Sequence, residues 1–144
     1  MKGGIVFGIR PEIIKLAPVI KEYEKRNLDF FMIHTGQHYS YELDKVFFEE
    51  LNLPQPKYNL ECGYETFRKQ LGFMVKRASE VIKQENPDYM VVYADTASAL
   101  GGALASLRNG KPLIHLEAGL RNNNPFSLED TITTTIDRLA EYHF

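Results

Sequence analysis

The segment 114–130, IHLEAGLRNNNPFSLED, places charged side chains directly after an apolar run. Glu117 follows the run 113–116, and Arg121 comes four residues later. An unpaired carboxylate beside a buried strand costs several kcal/mol. Glu117 therefore needs either a partner, for which Arg121 is the candidate, or a function. Because burial and neighbouring charges tune the acidity of a carboxyl group, a carboxyl in such a position suits proton transfer.

Two cations at the start of the first predicted helix offer a place for an anion. Arg10 precedes Pro11, a residue favoured in the first turn of a helix, and Lys15 lies about one turn further on. A helix N-terminus and two positive charges all favour a bound anion. This region contains neither the glycine-rich dinucleotide fingerprint nor a P-loop. Taken alone, the pair is better interpreted as solvated cations on a surface helix.

Three further polar groups lie at predicted strand ends or at the start of a predicted helix. They are Gln37 with His38, Asp95 with Thr96, and Glu129 with Asp130. Each also has a structural interpretation: Asp95 as a helix N-cap worth about 1 kcal/mol, His38 as a turn residue, and the two acids as favourable first-turn charges. The chemical interpretation depends on convergence. Three carboxyls and several cations at one sheet edge would hold a polyanionic ligand and exchange protons with it.

The elements that must position these groups alternate between short apolar runs and helical stripes. The apolar runs predict strands at 4–7, 30–33, 89–93, 112–116 and 142–144, and the stripes predict helices near 13–23, 43–51, 66–84, 100–107 and 128–140. The inward faces of the second and fourth helices are predicted to include Val46 and Leu107. Residues 55–64 are predicted to form a loop. This pattern predicts an α/β, Rossmann-like, doubly wound parallel sheet, which binds ligands at the carboxyl ends of its strands.

Composition limits the classes of function. The chain has 144 residues, 44% of them hydrophobic and 25% charged, with a formal net charge of −2. It has no block of basic residues, which argues against a nucleic-acid partner. The single cysteine, Cys62, excludes an intrachain disulfide framework and a cysteine-based zinc site. No apolar run is long enough to span a membrane, so we expect a cytoplasmic protein without a membrane partner.

Four motifs occur in order along the chain: GIRPEIIKLAPVIKEYEK, HTGQHYSYELDKVF, NPDYMVVYADTASALGGALA and PLIHLEAGLR. Together they resemble the N-terminal domain of the non-hydrolysing UDP-N-acetylglucosamine 2-epimerases. The resemblance implies a glycosyltransferase-B-like architecture with two Rossmann-like domains and an active site in the cleft between them. Residues 1–144 would then be the N-terminal domain, apparently truncated, with the C-terminal UDP-binding domain absent from this chain.

The resemblance also implies a reaction and roles for individual residues. The family interconverts UDP-N-acetylglucosamine and UDP-N-acetylmannosamine by anti-elimination of UDP and its re-addition, without a metal or redox cofactor, and a homodimer would fit the family. The implied acid/base carboxyls are Asp95, Glu117 and Glu129. The residues implied to bind UDP-N-acetylglucosamine or UDP are Arg10 and Lys15 at the phosphates, with Gln37, His38, Thr96, Arg121 and Asp130 lining the site.

The chain departs from the family pattern at two places. Ala94 stands where the family usually has glycine, and Ile132 and Thr133 stand where it usually has asparagine and arginine. Losing a charge-assisted hydrogen bond at these last two positions would cost about 1.5–3 kcal/mol. Two alternatives therefore stay open: a hydrolysing 2-epimerase that releases free N-acetylmannosamine and UDP, and a non-catalytic, truncated fragment that binds a nucleotide sugar.

Overall fold

The chain folds around one parallel β-sheet. The computed structural model describes residues 1–36, 41–63, 66–122, 124 and 126–144, and for residues 41–43 it describes only the backbone. Six strands are found in these residues: β1 (Lys2–Phe7), β2 (Asp29–His34), β3 (Tyr58–Asn59), β4 (Tyr89–Tyr93), β5 (Leu113–Leu116) and β6 (Tyr142–His143). Their order is β3-β2-β1-β4-β5-β6, and every pair of neighbours is parallel. The predicted Rossmann-like α/β fold is confirmed.

The helices alternate with the strands as the apolar pattern predicts. They are α1 (Arg10–Lys25), α2 (Tyr41–Glu50), α3 (Phe67–Glu85), α4 (Ala97–Arg108) and α5 (Leu128–Leu139). Within the described ranges, no helix combines the length and apolar character needed to cross a membrane. The predicted loop 55–64 is wrong in one respect, because it contains β3. A strand of two residues is too short to produce any periodicity in the sequence.

The core lies on both faces of the sheet. Ile5 and Phe7 of β1 point to the face covered by α1 and α2, where they meet Leu16 and Phe48. Val6 points to the opposite face, which α3, α4 and α5 cover. Burial on both faces explains why the strands are apolar throughout rather than alternating with polar residues.

Two predicted inward positions are wrong. Val46 is 46% exposed because, among the α2 residues whose side chains are described, Asp44 and Phe48 are the buried ones, and the hydrogen bond between His34 and Asp44 fixes this face toward the sheet. Leu107 is 59% exposed because α4 packs through small residues instead. A Cβ atom on Gly102 would lie only 3.0 Å from the Cβ of Val6 in the sheet, so the glycine allows α4 to approach closely.

Candidate functional site

The strand order reverses between β1 and β4. From β1 the chain proceeds outward through β2 and β3, and then returns to continue on the other side with β4, β5 and β6. Sheets of this kind bind ligands in the crevice outside the carboxyl ends of the strands at this point. The segments that leave β1, β4 and β5 begin at Gly8, Ala94 and Glu117, so these three turns form the candidate site.

Glu12 is buried at the centre of this crevice, with 1% of its surface exposed. It sits in the first turn of α1 and accepts hydrogen bonds from the backbone amides of Gly8, at 2.6 Å, and Ile9, at 3.0 Å. Its other oxygen accepts a 2.6 Å hydrogen bond from the hydroxyl of Thr96. Burial raises the pKa of Glu12 from 4.5 to about 7, against these hydrogen bonds, which lower it. The site therefore contains a carboxyl that titrates near neutral pH.

Tyr93, the last residue of β4, links the acidic side chains of neighbouring turns. Burial raises the pKa of its phenol, and a hydrogen bond with Glu117 raises it further. The negative charges of Glu12 and Asp95 act in the same direction. Since these electrostatic effects fall off with distance, the three carboxyls share one neighbourhood around the Tyr93 phenol. Asp95 and Glu117, predicted from the sequence as site residues, are thus brought together.

Two residues in this neighbourhood have left-handed backbone conformations. Ala94, directly after β4, has φ 58°, and Glu117, directly after β5, has φ 64°. This conformation costs an L-residue with a Cβ about 1–2 kcal/mol, and such strain is concentrated at functional sites. The conformation also gives a physical reason for the glycine that the resemblance leads us to expect at position 94.

Arg121 does not pair with Glu117, so that structural interpretation is wrong. Its Nη2 lies 2.7 Å from Oδ2 of Asp137, a residue of α5. The Oδ1 of Asp137 lies 2.7 Å from Nδ1 of the buried His115, whose Nε2 lies 2.9 Å from the carbonyl oxygen of Ala94. Burial opposes ionisation of Asp137, but the hydrogen bonds from Arg121 and His115 outweigh it and lower the pKa of its carboxyl. An oxygen atom thus faces each ring nitrogen of His115, and the ring is held between Asp137 and the carbonyl group of Ala94.

A similar arginine–aspartate–histidine arrangement lies beside β2. Arg10 Nε is 3.3 Å from Oδ1 of Asp44, and Oδ2 of Asp44 is 3.0 Å from Nε2 of the buried His34. Burial lowers the pKa of His34, although Asp44 opposes this effect. The guanidinium also stacks near the ring of Phe47, at 5.7 Å from its centroid. Arg10 is thereby held at the N-terminus of α1 while 46% of its side chain stays exposed.

Thr96, and not Asp95, is the N-cap of α4. Its hydroxyl oxygen accepts a 3.0 Å hydrogen bond from the backbone amide of Ala99. The interpretation of Asp95 as a structural cap is therefore wrong. Across the described part of the chain, no hydrogen bond or ion pair is found for the half-buried Asp95 carboxylate. Lys15 is exposed on α1.

The acids at the start of α5 have local partners. Ser127 is the N-cap, accepting from the Asp130 amide at 3.3 Å and donating to Glu129 at 2.7 Å, which lowers the pKa of the Glu129 carboxyl. Asp130 accepts a 2.8 Å hydrogen bond from the Asn122 amide. In the residues described, no hydrogen bond or ion pair joins either acid to the carboxyls around Tyr93. Gln37 and His38, two other predicted site residues, lie outside the described residues.

The two departures on α5 fall at buried positions. Ile132 is 4% exposed and belongs to the core together with Ile136. Thr133 is 3% exposed, and its hydroxyl donates a 3.1 Å hydrogen bond to the carbonyl oxygen of Glu129. Neither side chain presents a charged group, so the apolar and hydroxyl side chains here match their surroundings.

Four residues of this region were not predicted from the sequence as site residues: Glu12, Tyr93, His115 and Asp137. Two sequence signals were available. For Glu12 the signal is its place as the third residue of a helix, where a glutamate is typical of a capping box. For His115 the signal is its place within an apolar strand, because a buried histidine needs a hydrogen-bond partner. Tyr93 carries no such signal, because a tyrosine is ordinary in a strand. The part of the chain that the structure describes contains no group of three or more His, Cys, Asp or Glu residues arranged to hold a metal ion.

Comparisons with known proteins point to one family. A family model described as UDP-N-acetylglucosamine 2-epimerase matches residues 21–144. The UDP-N-acetylglucosamine 2-epimerase of Methanocaldococcus jannaschii is 46% identical over 144 residues, covering 100% of this chain and 39% of that protein. The UDP-2,3-diacetamido-2,3-dideoxy-D-glucuronate 2-epimerase of Pseudomonas aeruginosa is 36% identical over 145 residues, covering 100% of this chain and 41% of that protein.

A solved structure is similarly close. The crystal structure of Methanocaldococcus jannaschii UDP-GlcNAc 2-epimerase in complex with UDP-GlcNAc and UDP matches with a TM-score of 0.95 and 46% identity. The match covers 100% of this chain and 40% of that one. The chain thus spans about 40% of the length of the proteins that it resembles.

Proposed function

The chain belongs to the UDP-N-acetylglucosamine 2-epimerase family, and from this premise we propose that the complete protein interconverts UDP-N-acetylglucosamine and UDP-N-acetylmannosamine. Both relatives described above are named as 2-epimerases of UDP sugars. Inversion at C2 of a UDP sugar is therefore the part of the proposal with the broadest support.

The observation that carries the proposal is the group of carboxyls around Tyr93. Glu117 hydrogen-bonds to the phenol, and the charges of Glu12 and Asp95 act on the same group. Inversion at a carbon requires proton removal from one face and proton delivery to the other, which needs at least two acid/base groups. Asp95 and Glu117, which lie beside one phenol, suit that requirement.

The chemistry follows an elimination and an addition. A base takes the proton from C2, the C2–H electron pair forms the C1=C2 double bond, and the C1–O bond breaks so that UDP leaves with the bonding pair. UDP then adds back to C1 of the 2-acetamidoglucal, and an acid delivers a proton to the opposite face of C2. The developing charge on the departing diphosphate is stabilised by cations and by the N-terminus of a helix.

The chain's residues divide between these tasks. The acid/base carboxyls in the proposal are Asp95, Glu117 and Glu129. Arg10, at the N-terminus of α1, and the exposed Lys15 face the diphosphate. The remaining residues that line the bound nucleotide sugar in the proposal are Gln37, His38, Thr96, Arg121 and Asp130. The position of Arg10 supports its role, since Asp44 holds the guanidinium while leaving it partly exposed.

The organisation of the complete protein is part of the proposal. Residues 1–144 form the N-terminal Rossmann-like domain, and a second, UDP-binding domain closes the cleft over the carboxyl ends of the strands. Support comes from the proportion of the relatives that the chain spans, about 40%. We further expect a cytoplasmic homodimer that works without a metal or redox cofactor and without nucleic-acid or membrane partners.

Solvent exchange tests the reaction. The complete protein is incubated with UDP-N-acetylglucosamine in D2O, and proton NMR follows the C2 proton and the anomeric signals of both epimers. We expect loss of the C2 proton from both UDP sugars as the two epimers reach equilibrium. No loss of the C2 proton with verified, folded complete protein would contradict the proposal.

The same experiment separates the alternatives. Free N-acetylmannosamine appearing in equal amount with UDP would favour a hydrolysing epimerase. Binding of UDP-N-acetylglucosamine without exchange or release of sugar would favour a non-catalytic nucleotide-sugar-binding protein.

A further inference from the structure

A single carboxylate, that of Asp137, is linked to the two turns that carry Asp95 and Glu117: directly to the turn after β5, and through His115 to the turn after β4. Its Oδ2 accepts from the backbone amide of Gly119, at 3.2 Å, and from Arg121, at 2.7 Å. Its Oδ1 accepts from His115 at 2.7 Å, and the other ring nitrogen of His115 lies 2.9 Å from the carbonyl oxygen of Ala94. Asp137 thus contacts the turn after β5 directly, and His115 connects it to the turn after β4.

Both turns need an external constraint. Ala94 and Glu117 have φ values of 58° and 64°, which L-residues disfavour. Strained conformations of this kind persist only when the surrounding structure holds them. The Ala94 amide donates to the carbonyl oxygen of Leu116 at 2.9 Å, so the turn after β4 is also joined directly to the end of β5. Asp137, on α5, supplies a contact from outside the sheet.

We propose that Asp137 is a positioning residue: through His115 and Gly119 it holds the turns bearing Asp95 and Glu117, so that both carboxyls face the same sugar carbon. The inference rests on the proposed function for the identity of the reaction, whereas the contacts that join Asp137 to the two turns do not depend on it. Asp137 itself does not touch the substrate in this account. Its contribution is to the orientation of the groups that move protons, which is a large component of enzymatic rate.

Removing the carboxylate tests the proposal in the complete protein. For Asp137→Ala we expect kcat for C2 exchange to fall about 100-fold, since a misplacement of about 1 Å costs about this factor. KM for UDP-N-acetylglucosamine should change less than about threefold, because the two turns orient groups at the sugar rather than bind the diphosphate. Asp137→Asn keeps an oxygen acceptor, and we expect it to recover kcat to within about tenfold of the wild type.

Glu85→Gln is the matched control. Glu85 is, like Asp137, a partly buried residue whose carboxylate has two basic partners, Lys2 and Lys57, but it lies at the opposite, amino-terminal end of the strands. Its substitution should lower the unfolding temperature and leave kcat per folded molecule unchanged. If Asp137→Ala behaves in the same way, with kcat of the folded fraction within about threefold of the wild type, Asp137 is merely structural and the proposal is wrong.

Amide hydrogen exchange separates this proposal from the proposed reaction. Asp137→Ala should accelerate exchange at the amides of Ala94 and Gly119, whereas Glu85→Gln should not. If the wild type shows no C2 exchange but these amides respond, the reaction is wrong and the positioning role stands. Unchanged amide exchange would overturn the positioning role whatever the activity. If Asp137→Ala does not fold, Asp137→Asn is assayed instead: kcat about three- to tenfold below the wild type with faster exchange at these two amides supports the proposal, and wild-type values for both overturn it.

Discussion

Thr96 donates a 2.6 Å hydrogen bond to Glu12, although 84 residues separate the two in the chain. The bond joins the N-terminus of α4 to the first turn of α1, across the crevice between β1 and β4. Glu12 also accepts from the amides of Gly8 and Ile9. One buried carboxyl therefore connects two of the three turns of the site, and its protonation affects both.

The free energy of unfolding should decrease as the pH rises, because of Glu12. Its folded-state pKa of about 7 lies above the ordinary value of 4.5, so the folded state retains the proton longer than the unfolded state does. The resulting stabilisation of the folded state totals about 3 kcal/mol. It is fully present below pH 4.5 and is lost as the pH rises through about 7. Glu12→Gln should remove this decline in urea unfolding of the complete protein between pH 4.5 and 8.

The control for this measurement is Glu22→Gln on the same helix. Glu22 has 44% of its side chain exposed and pairs with Arg26 at the surface, so its substitution should leave the pH dependence of the unfolding midpoint unchanged. A Glu12→Gln protein whose unfolding midpoint declines with pH as steeply as the wild type would show that Glu12 is already ionised at low pH in the folded state.

Glu117→Gln should reduce turnover sharply without unfolding the protein. A glutamine keeps the shape and can still contact Tyr93, but it cannot take up a proton from carbon. General acid–base groups contribute about 10²–10⁴-fold to rate, so we expect kcat for C2 exchange to fall by at least about 100-fold. Glu80→Gln, on the exposed face of α3, is the control and should keep wild-type kcat. Circular dichroism checks the fold, and a loss of fold with normal activity per folded molecule would assign Glu117 a structural role.

Ala94→Gly should stabilise the protein. At φ 58° the alanine is strained by about 1–2 kcal/mol in the folded state. A glycine removes this strain, but it lowers the free energy of unfolding by about 0.4–1 kcal/mol because it gives the unfolded chain more conformational freedom. The net gain is about 0.5–1 kcal/mol, measurable as a higher urea midpoint. Ala118→Gly provides the comparison, because Ala118 lies at the same sheet edge without a positive φ and should lose stability. Equal effects of the two substitutions would show that position 94 is not strained.

Gly8→Ala should destabilise the crevice. A Cβ at this position would lie 2.0 Å from the hydroxyl of Ser98 and 2.1 Å from that of Thr35, which are hydrogen-bonded to each other at 2.6 Å. Overpacking of this kind costs about 1–3 kcal/mol. Gly72→Ala is the matched control: beyond the adjoining residues and backbone of its own helix, no described atom lies within 4 Å of its added methyl, and removing a mid-helix glycine should stabilise α3. Thermal unfolding of both variants tests the contrast, and a neutral Gly8→Ala would contradict the close packing.

Much of the fold follows from the sequence because the strands are buried on both faces. Their continuous apolar runs separate clearly from the helical stripes, and this alone predicts the sheet and the edge where ligands bind. Local residues at that edge, such as Asp95 and Glu117, can be identified in the same way. β3 could not, because Tyr58 and Asn59 lie between lysine and leucine without forming an apolar run.

Residues whose roles depend on distant partners are harder to identify. Glu12, His115 and Asp137 bond to groups between 16 and 84 residues away in the chain. The identity of those partners is set by the pairing of β1 with β4 and by the packing of α5 against the core. The pairing of Arg121 illustrates the point: Glu117 is nearer in sequence, yet Asp137 on α5 is nearer in space.

The central position of β1 has a consequence for synthesis of the protein on the ribosome. β1 pairs with β2 on one side, but its other side pairs with β4, which begins about 80 residues later. At about 5–20 residues per second, that side of an apolar strand stays open for about 4–16 s while translation continues. An open strand edge is a template for association with other chains. The nascent chain, before residue 89 emerges, is therefore the state in which we expect this protein to depend most on chaperones.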